Sequence, residues 1–568
     1  MRIDDQPTTA DPRTLQGVGV SPGLAAGPVV LLAPPPGEPA AEPLAEGADV
    51  EAEAARIRPA AEQVAAALTA AAASVTGERR DLLETTAQMA QDPSLVKTAA
   101  KRVRTDRLTA PRAVWEAAAT VAEQLRALGG YMAERARDVA DVRDRLIAEL
   151  TGAPVPGVPR GVDPFVLVAT DLAPADTALL DPAQVRAIVT AEGGPTSHTA
   201  ILARALGIPA VVGVTGAPTA LPAGAVVLVD GSAGTVRTDP GPEELAAAER
   251  RATLERTFTP PGRTADGHPV QLLANVGDPA AAAGAAAAGA EGVGLFRTEF
   301  CFLDRAQEPG VAEQVAAYRA VLTHFPGKKV VVRTLDAGAD KPLPFVTADD
   351  EPNPALGVRG LRTARRAPEV LDHQLQAIAE AAGAEQAEVW VMAPMVATAQ
   401  ETEDFVAACA RHGLPTAGVM VETPAAALLS GPVLARAHFA SIGTNDLTQY
   451  TMAADRMLGS LAELTDSWQP AVLRLISATC AGGAQQSRPV GVCGEAAADP
   501  ALATVLVGLG VSSLSMTPRA LADVAAVLAA TDLATCRRLA QLAVDAESAA
   551  EARARVRAEL PVLADLGL

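Results

Sequence analysis

The run KVVVRTLDAG, residues 329–338, is a short β-branched stretch that stops at a charged side chain, Arg333. Three consecutive valines suit a strand buried on both faces, where alternation is not required. The same design recurs. From residue 262 onward there are eight apolar runs, mostly separated by helical patterns. The others are VQLLANVG (270–277), GVGLFRTEF (292–300), EVWVMAPMV (388–396), AGVMVETP (417–424), FASIGTNDL (439–447), PVGVCGEA (489–496) and SSLSMTP (512–518). Eight βα units in roughly 300 residues predict a TIM (β/α)8 barrel over 262–568.

Barrel active sites form where the strands end, at the C-terminal face. Here the second run ends at Arg297, the third at Arg333, the fifth at Glu422, the sixth at Asn445 and Asp446, and the seventh at Cys493. Lys341 and Arg359 follow the third run, and Arg456 follows the sixth. Glu422 and Asp446 are two hard oxygen ligands, too few for a calcium cage. They suit Mg2+, which keeps waters and draws ligands from a phosphorylated substrate. Arg297, Arg333 and Arg456 offer planar forks for phosphate and carboxylate. Three arginines against two carboxylates imply a substrate with more than one acidic group. Asn445 can orient a phosphate oxygen or Asp446. Cys493 reads either as a packing thiol or as a proton donor or nucleophile.

Before the barrel the chain has a different texture. QGVGVSPGLAAGPVVLL (16–32) predicts two short strands around a Ser-Pro-Gly turn. From about residue 48 to 150 apolar residues recur at helical spacing: Val121, Leu125, Leu128 and Met132, then Val139, Val142 and Leu146. QDPSLV (91–96) predicts a helix break with a new N-cap at Ser94. Strands return with FVLVAT (165–170), VRAIVT (185–190), PAVVGV (209–214) and AVVLVDG (225–231). The early strands are expected to join them, which makes the helical bundle an insertion. PEELAAAERRATLERTF (242–258) predicts a charged linker helix. The expected domains are therefore 1–35 with 150–240, an inserted bundle over 36–149, a linker over 241–261, and the barrel over 262–568.

AEGGPTSHTAILARALGIPAVVGV (191–214) places one of only six histidines, His198, at the mouth of a helix behind a Gly-Gly turn. A helix start offers free N–H groups and the positive end of the dipole, and binds phosphate readily. Thr196 or Ser197 can cap it, while Ile201, Leu202 and Ala205 are expected to pin it to the sheet. Neutral imidazole accepts a phosphoryl group reversibly near pH 7. From position alone, His198 reads first as an N-terminal capping residue. The cluster GGPTSHTA is what singles it out.

Composition excludes some classes. The 568 residues are too many for one core. A net charge of −20 argues against nucleic acid or an anionic membrane. MRIDDQPTTADP has no apolar core and is not expected to act as a signal peptide, and PAAAAGAAAAGA (279–290) is too short to span a bilayer. Five widely spaced cysteines without a CxxC point away from a disulfide framework and toward a reducing cytoplasm.

The residues GGPTSHTAILARALGIPAVVG resemble the phosphohistidine signature of the PEP-utilising enzymes. GVGLFRTEF, VVVRTLDAGADKPLPF, NPALGVRGLR, GVMVETPAAA, SIGTNDLTQYTMAADR and GVCGEAA are similar to that family's barrel motifs. GVSPGLAAGP and YMAERARDVADVRDR (131–145) narrow the likeness to the Enzyme I family of the bacterial sugar phosphotransferase system. ATP-using relatives carry a large ATP-grasp domain ahead of the histidine domain. Here only about 150 residues precede it, and no glycine-rich nucleotide loop is present.

The resemblance implies a multidomain α/β fold: a swivelling phosphohistidine domain with an inserted helical bundle, then the TIM barrel. It implies that phosphoenolpyruvate binds with Mg2+ at the barrel rim. Arg297, Arg333, Arg456, Asn445, Arg359 and Lys341 would hold it, and Glu422 and Asp446 would hold the metal. His198 would carry the phosphoryl group, and Cys493 would protonate the enolpyruvate to pyruvate. The phosphoryl group would pass to a histidine of the phosphocarrier HPr, docked on the insertion. A cytoplasmic homodimer, joined through the barrel, is implied too. Three features depart from the family pattern. MLGSLAELTDSW replaces a Gly-Asn after Arg456, LLETTAQMAQD (82–92) lacks a histidine, and 397–416 is short.

Overall fold

Among the described residues, sixteen strands form two sheets in two units, Met1–Ala252 and Thr253–Leu568. The computed structural model describes residues 13–21, 23–75, 78–128, 130–154, 157–159, 163–194, 197–231, 233–253, 256–303, 305–338, 343–347, 351–456, 458–566 and 568.

The first unit holds an eight-stranded sheet. Its strands are β1 (Thr14–Gln16), β2 (Val18–Ser21), β3 (Leu24–Leu31), β4 (Phe165–Ala169), β5 (Val185–Thr190), β6 (Ala210–Val212), β7 (Val226–Asp230) and β8 (Thr235–Thr238). They lie in the order β1-β8-β7-β3-β4-β5-β6-β2. The four from β3 to β6 run parallel, and the flanking pairs are antiparallel. Every residue of β4 is buried, which is why FVLVA reads as an unbroken apolar run. The chain passes so tightly from β7 past β2 that a Cβ on Gly231 would lie 1.9 Å from the Ser21 carbonyl oxygen.

Strand β3 pairs directly with β4, although six helices among the described residues, from Val50 to Thr151, separate them in sequence. The bundle is therefore an excursion from one sheet. Few aromatics are available, so its core is built from alanines with Ile57, Val64, Leu68, Leu83, Val103, Val114, Leu146 and Ile147. Val139, Val142 and Leu146 are buried as their spacing predicts, and Val121 and Leu125 pack at the margin. The side chains of Leu128 and Met132 lie outside the described residues. The cap predicted at Ser94 falls two residues earlier. Pro93 occupies the first turn of the helix Pro93–Asp106, and the Asp92 carboxylate accepts from the Ser94 and Leu95 amides. Proline has no N–H to cap and a backbone preset for the first turn, so the residue before it becomes the cap.

One ionic joint ties the bundle to the sheet layer. Arg145 donates from Nε to Asp141 Oδ1 at 3.0 Å and from Nη2 to Asp176 Oδ1 at 2.7 Å. All three residues are buried, and burial pushes the Asp141 carboxyl up to about 6.

The second unit is a closed barrel of parallel strands: β9 (Gln271–Val276), β10 (Gly292–Arg297), β11 (Lys329–Arg333), β12 (Glu388–Ala393), β13 (Ala417–Val421), β14 (Ala440–Ile442), β15 (Val490–Val492) and β16 (Ser513–Met516). All eight predicted runs contain a strand, and β16 closes on β9 from Ser513↔Gln271 to Met516↔Ala274. The barrel axis is filled by Leu295, Val331, Met392, Met420, Phe439 and Cys493 with Trp390, so it is a packed core. Of the helix predicted over 242–258, the structure describes Pro242–Thr253. All five cysteines are free and buried.

Candidate active site

The C-terminal mouth of the barrel gathers most of the rim residues. Arg297 and Arg333 end β10 and β11 and lie in register with one another. Strand β13 stops at Val421, so Glu422 is the next residue. Cys493 likewise directly follows β15. Asn445 and Asp446 lie in the first turn of the helix Thr444–Met452, which begins just after β14. Strand ends at this face carry their side chains into one bowl because every strand runs the same way.

Arg333 is buried and held at both ends of its fork. Its Nη2 donates to Glu299 Oε1 at 2.9 Å, and its Nη1 lies 3.0 Å from Asp336 Oδ2. Burial works against its charge, but Glu299, Asp336 and Glu422 outweigh that and hold it above the ordinary arginine value. Arg359, 3% exposed, reaches Asp446 Oδ1 at 3.5 Å, Asp336 Oδ1 at 3.8 Å and the Tyr450 hydroxyl at 3.3 Å. Arg456 lies 3.4 Å from Asp446 Oδ2, and its amide donates to Gln449 Oε1. Arg297 stays exposed to the bowl. Even so, the surrounding walls strip solvent from it, and Arg333 beside it lowers its value further.

Glu422 is 1% exposed and accepts the Met395 amide, whose residue sits at φ 58. A non-glycine residue in that region is strained, and here the strain aims an N–H at a carboxylate. Burial, then the charges of Asp336 and Asp446, push the Glu422 carboxyl well above its ordinary range. Such a group is relieved by a cation. Asp446 Oδ1 and Thr444 Oγ1, both buried, make no hydrogen bond. Among the described residues, no three His, Cys, Asp or Glu side chains come together as a complete metal cage. Two carboxylates with spare lone pairs fit a hard divalent cation that keeps water or substrate oxygens for its other positions.

Cys493 is 2% exposed, and its thiol faces the Ile442 carbonyl oxygen at 3.6 Å. Burial pushes it up to about 11, against a hydrogen bond from Ser441 and the charge of Arg333. Of the alternatives the sequence left open, a neutral thiol fits this setting, whether as packing or as a proton carrier, and a resting thiolate nucleophile does not.

Sequence reasoning missed Glu299 and Asp336. They stand two residues after Arg297 and three after Arg333, within motifs already singled out. Their presence corrects the charge balance drawn from the sequence. Glu495 also acts on Arg297, so more than two carboxylates face the arginines and the mouth does not carry a simple cationic excess. Lys341 lies outside the described residues.

In the first unit, His198 opens the helix His198–Leu206. Ser197 is its N-cap, accepting from the Ala200 amide at 3.2 Å, and Gly207 ends it in the left-handed region. The buried face of this helix carries Ala200 and Ala203. Leu202 is half-buried. Thr196 and the side chains of His198, Ile201 and Ala205 lie outside the described residues.

Three family descriptions match the chain: "PEP-utilising enzyme, N-terminal" over residues 16–135, "PEP-utilising enzyme, mobile domain" over 161–234, and "PEP-utilising enzyme, PEP-binding domain" over 251–533. The chain is 52% identical to a phosphoenolpyruvate-protein phosphotransferase of Streptomyces coelicolor, across 96% of this chain and 99% of the relative. It is 40% identical to one of Haloferax volcanii, across 95% and 98%. A third, from a Bacillus species, is 38% identical across 89% and 91%.

Proposed function

The chain belongs to the phosphoenolpyruvate-protein phosphotransferases of the PEP-utilising family, and from that premise we propose the following reaction. The phosphoryl group of PEP moves to His198 and then to a histidine of a small phosphocarrier, HPr, as the first step of phosphotransferase sugar uptake. The observation that supports this best is the barrel mouth, where Arg333, Arg359 and Arg456 surround the buried pair Glu422 and Asp446.

Arg297, Arg333, Arg359 and Arg456, with Asn445 and Lys341, bind the phosphate and carboxylate of PEP in this reading. Arginine forks hold such groups in fixed orientation, and that positioning is most of what phosphoryl transfer needs. Glu422 and Asp446 would hold a divalent metal, taken here as Mg2+, which when bound offsets charge on the phosphate oxygens. The P–O bond of PEP breaks as a P–N bond forms to the His198 ring. The enolpyruvate left behind takes a proton at its methylene carbon from the Cys493 thiol, giving pyruvate, and the thiolate regains a proton from water. Phosphohistidine then gives its phosphoryl group to the carrier.

Residues 1–35 and 150–240 are assigned as the phosphohistidine domain, 36–149 as the carrier-docking insertion, 241–261 as the linker, and 262–568 as the PEP-binding and dimerising barrel. His198 serves two reaction partners in turn, so its domain has to travel between them. A cytoplasmic homodimer completes the reading. Among the described residues no helix is long and apolar enough to cross a membrane.

Intact-protein mass after incubation with PEP and Mg2+ tests the proposal. Wild type gains one acid-labile phosphoryl group and releases pyruvate, and His198→Ala gains none. An unmodified wild type that still binds PEP overturns it.

A further inference from the structure

Gln374 is completely buried on the helix Pro368–Ala384, on a face otherwise made of Val370, Leu375, Ala377, Ile378 and Ala381. A primary amide in such a place costs several hydrogen bonds to water unless every polar atom is paired. Here every one is. Its Oε1 accepts the Leu335 amide at 2.8 Å, and its Nε2 donates to Thr298 Oγ1 at 3.0 Å and to the Tyr318 hydroxyl at 3.1 Å. Thr298, also buried, donates in turn to the Arg333 carbonyl oxygen at 2.9 Å.

These bonds converge on one turn, residues 333–336. Its carbonyl at Arg333 is held through Thr298, its amide at Leu335 by Gln374, and its amide at Asp336 by Glu299 Oε1 at 3.0 Å. The same Glu299 oxygen grips the Arg333 guanidinium. The turn supplies two groups of the mouth, Arg333 and Asp336, which pair with each other. Behind Gln374 the chain of bonds continues away from the mouth. The Tyr318 hydroxyl donates to Gln314 Oε1 at 2.9 Å, and Gln314 Nε2 donates to the Pro309 carbonyl oxygen at 3.0 Å. Gln314 and Tyr318 are buried too. A leucine at 374 would satisfy the packing. Only a side chain with both donor and acceptor serves the Leu335 amide and the Thr298 and Tyr318 hydroxyls together, and a saturated buried network specifies one geometry.

We infer that Gln374, acting through Thr298 and the Leu335 amide, is a positioning residue that sets where Arg333 presents its guanidinium to PEP. The inference rests on Arg333 binding PEP, as proposed above. Gln374 touches no substrate itself. A strand end left without these bonds relaxes toward the helix layer, and a substrate-binding fork displaced by even a fraction of an ångström loses complementarity.

The test is Gln374→Met in the full chain, which removes all three bonds at nearly constant volume. KM for PEP and kcat are measured beside the single-turnover passage of phosphate from already phosphorylated enzyme to the phosphocarrier. That passage makes no use of Arg333. KM for PEP is expected to rise about tenfold or more, with the carrier step changed by less than about twofold. An unchanged KM overturns the inference. An equal loss in both steps overturns it too, because it marks general loosening. If Gln374→Met does not accumulate as folded protein, Thr298→Val and Thr298→Ser decide. A raised KM in the valine variant alone supports the inference, and equal KM values in both overturn it. Arg333→Lys separates the two readings. If it leaves KM unmoved, the role of Arg333 fails and the inference falls with it. If it raises KM and Gln374→Met does not, only the inference fails.

Discussion

Cys493 is the group whose chemistry burial constrains most directly. Its folded value, about 11, lies two pH units above the 9.0 of an ordinary thiol. Two units correspond to about 3 kcal/mol of extra cost for the thiolate. The direction matters: the acid is weakened, so the neutral thiol persists throughout the physiological range and the thiolate appears only in strong base. At pH 8 an ordinary thiol is about one-tenth ionised, and this one about one part in a thousand. Alkylation by iodoacetamide, read by peptide mass mapping, is therefore expected to be about a hundredfold slower at Cys493 than in the denatured chain, before any loss of access. The rate is expected to climb tenfold per pH unit from 7 to 9.5 without a plateau. Cys493→Ser, which offers a far weaker acid in the same place, is expected to lower steady-state pyruvate formation by about a hundredfold or more. A single phosphorylation of His198 is expected to survive, because the proton moves after the phosphoryl group does. An alkylation profile that levels off at or below pH 9, or a Cys493→Ser enzyme with native turnover, would refute the assignment of a proton-carrying thiol.

Three other outcomes are expected. A Cβ on Gly494 would lie 1.8 Å from Thr444 Oγ1 and 2.8 Å from the Thr444 amide, so Gly494→Ala pushes the Cys493 segment off the helix Thr444–Met452. Its kcat/KM is expected to fall about a hundredfold with folding retained by circular dichroism, and native kinetics would contradict this. Arg145→Met strands two buried carboxylates and is expected to cost about 3–5 kcal/mol at pH 7 in urea unfolding. The Arg145 charge holds the Asp141 carboxyl down against burial, at about 6 in the fold, so without it the carboxyl takes up its proton at a pH above 6. The deficit therefore shrinks as pH falls toward 6 and levels off below it, and a deficit independent of pH would count against the joint. Ser197→Ala removes the cap on the Ala200 amide. It is expected to cost about 1 kcal/mol, seen as roughly fivefold faster hydrogen exchange at the start of the His198 helix.

The eight barrel runs were legible because a strand buried on both faces has to be apolar throughout, a requirement each stretch meets by itself. KVVVR and AGVMV show it as plainly in sequence as in the barrel. Rim residues were legible for a related reason. A charged or reactive side chain directly after such a run has nowhere to go but the mouth, which is how Arg297, Arg333, Glu422 and Cys493 could be named. Residue type left packing, proton donation and nucleophilic attack as alternatives at Cys493, and its neighbours come from strands far apart in sequence. Glu299 and Asp336 were invisible as site residues because an acid beside an arginine in sequence looks like ordinary surface charge. Only closure of β16 onto β9 makes the bowl into which they turn. Gln374 shows the limit most clearly. In the chain it is one polar residue in a helix. In the fold it spans from one helix to the end of β11, because burial on that face leaves no water to satisfy it and only the turn 333–336, with Thr298 and Tyr318, can. Local pattern specifies strands, helices and their order. Which buried polar groups meet depends on closing the barrel, a long-range event whose energetics no single stretch contains.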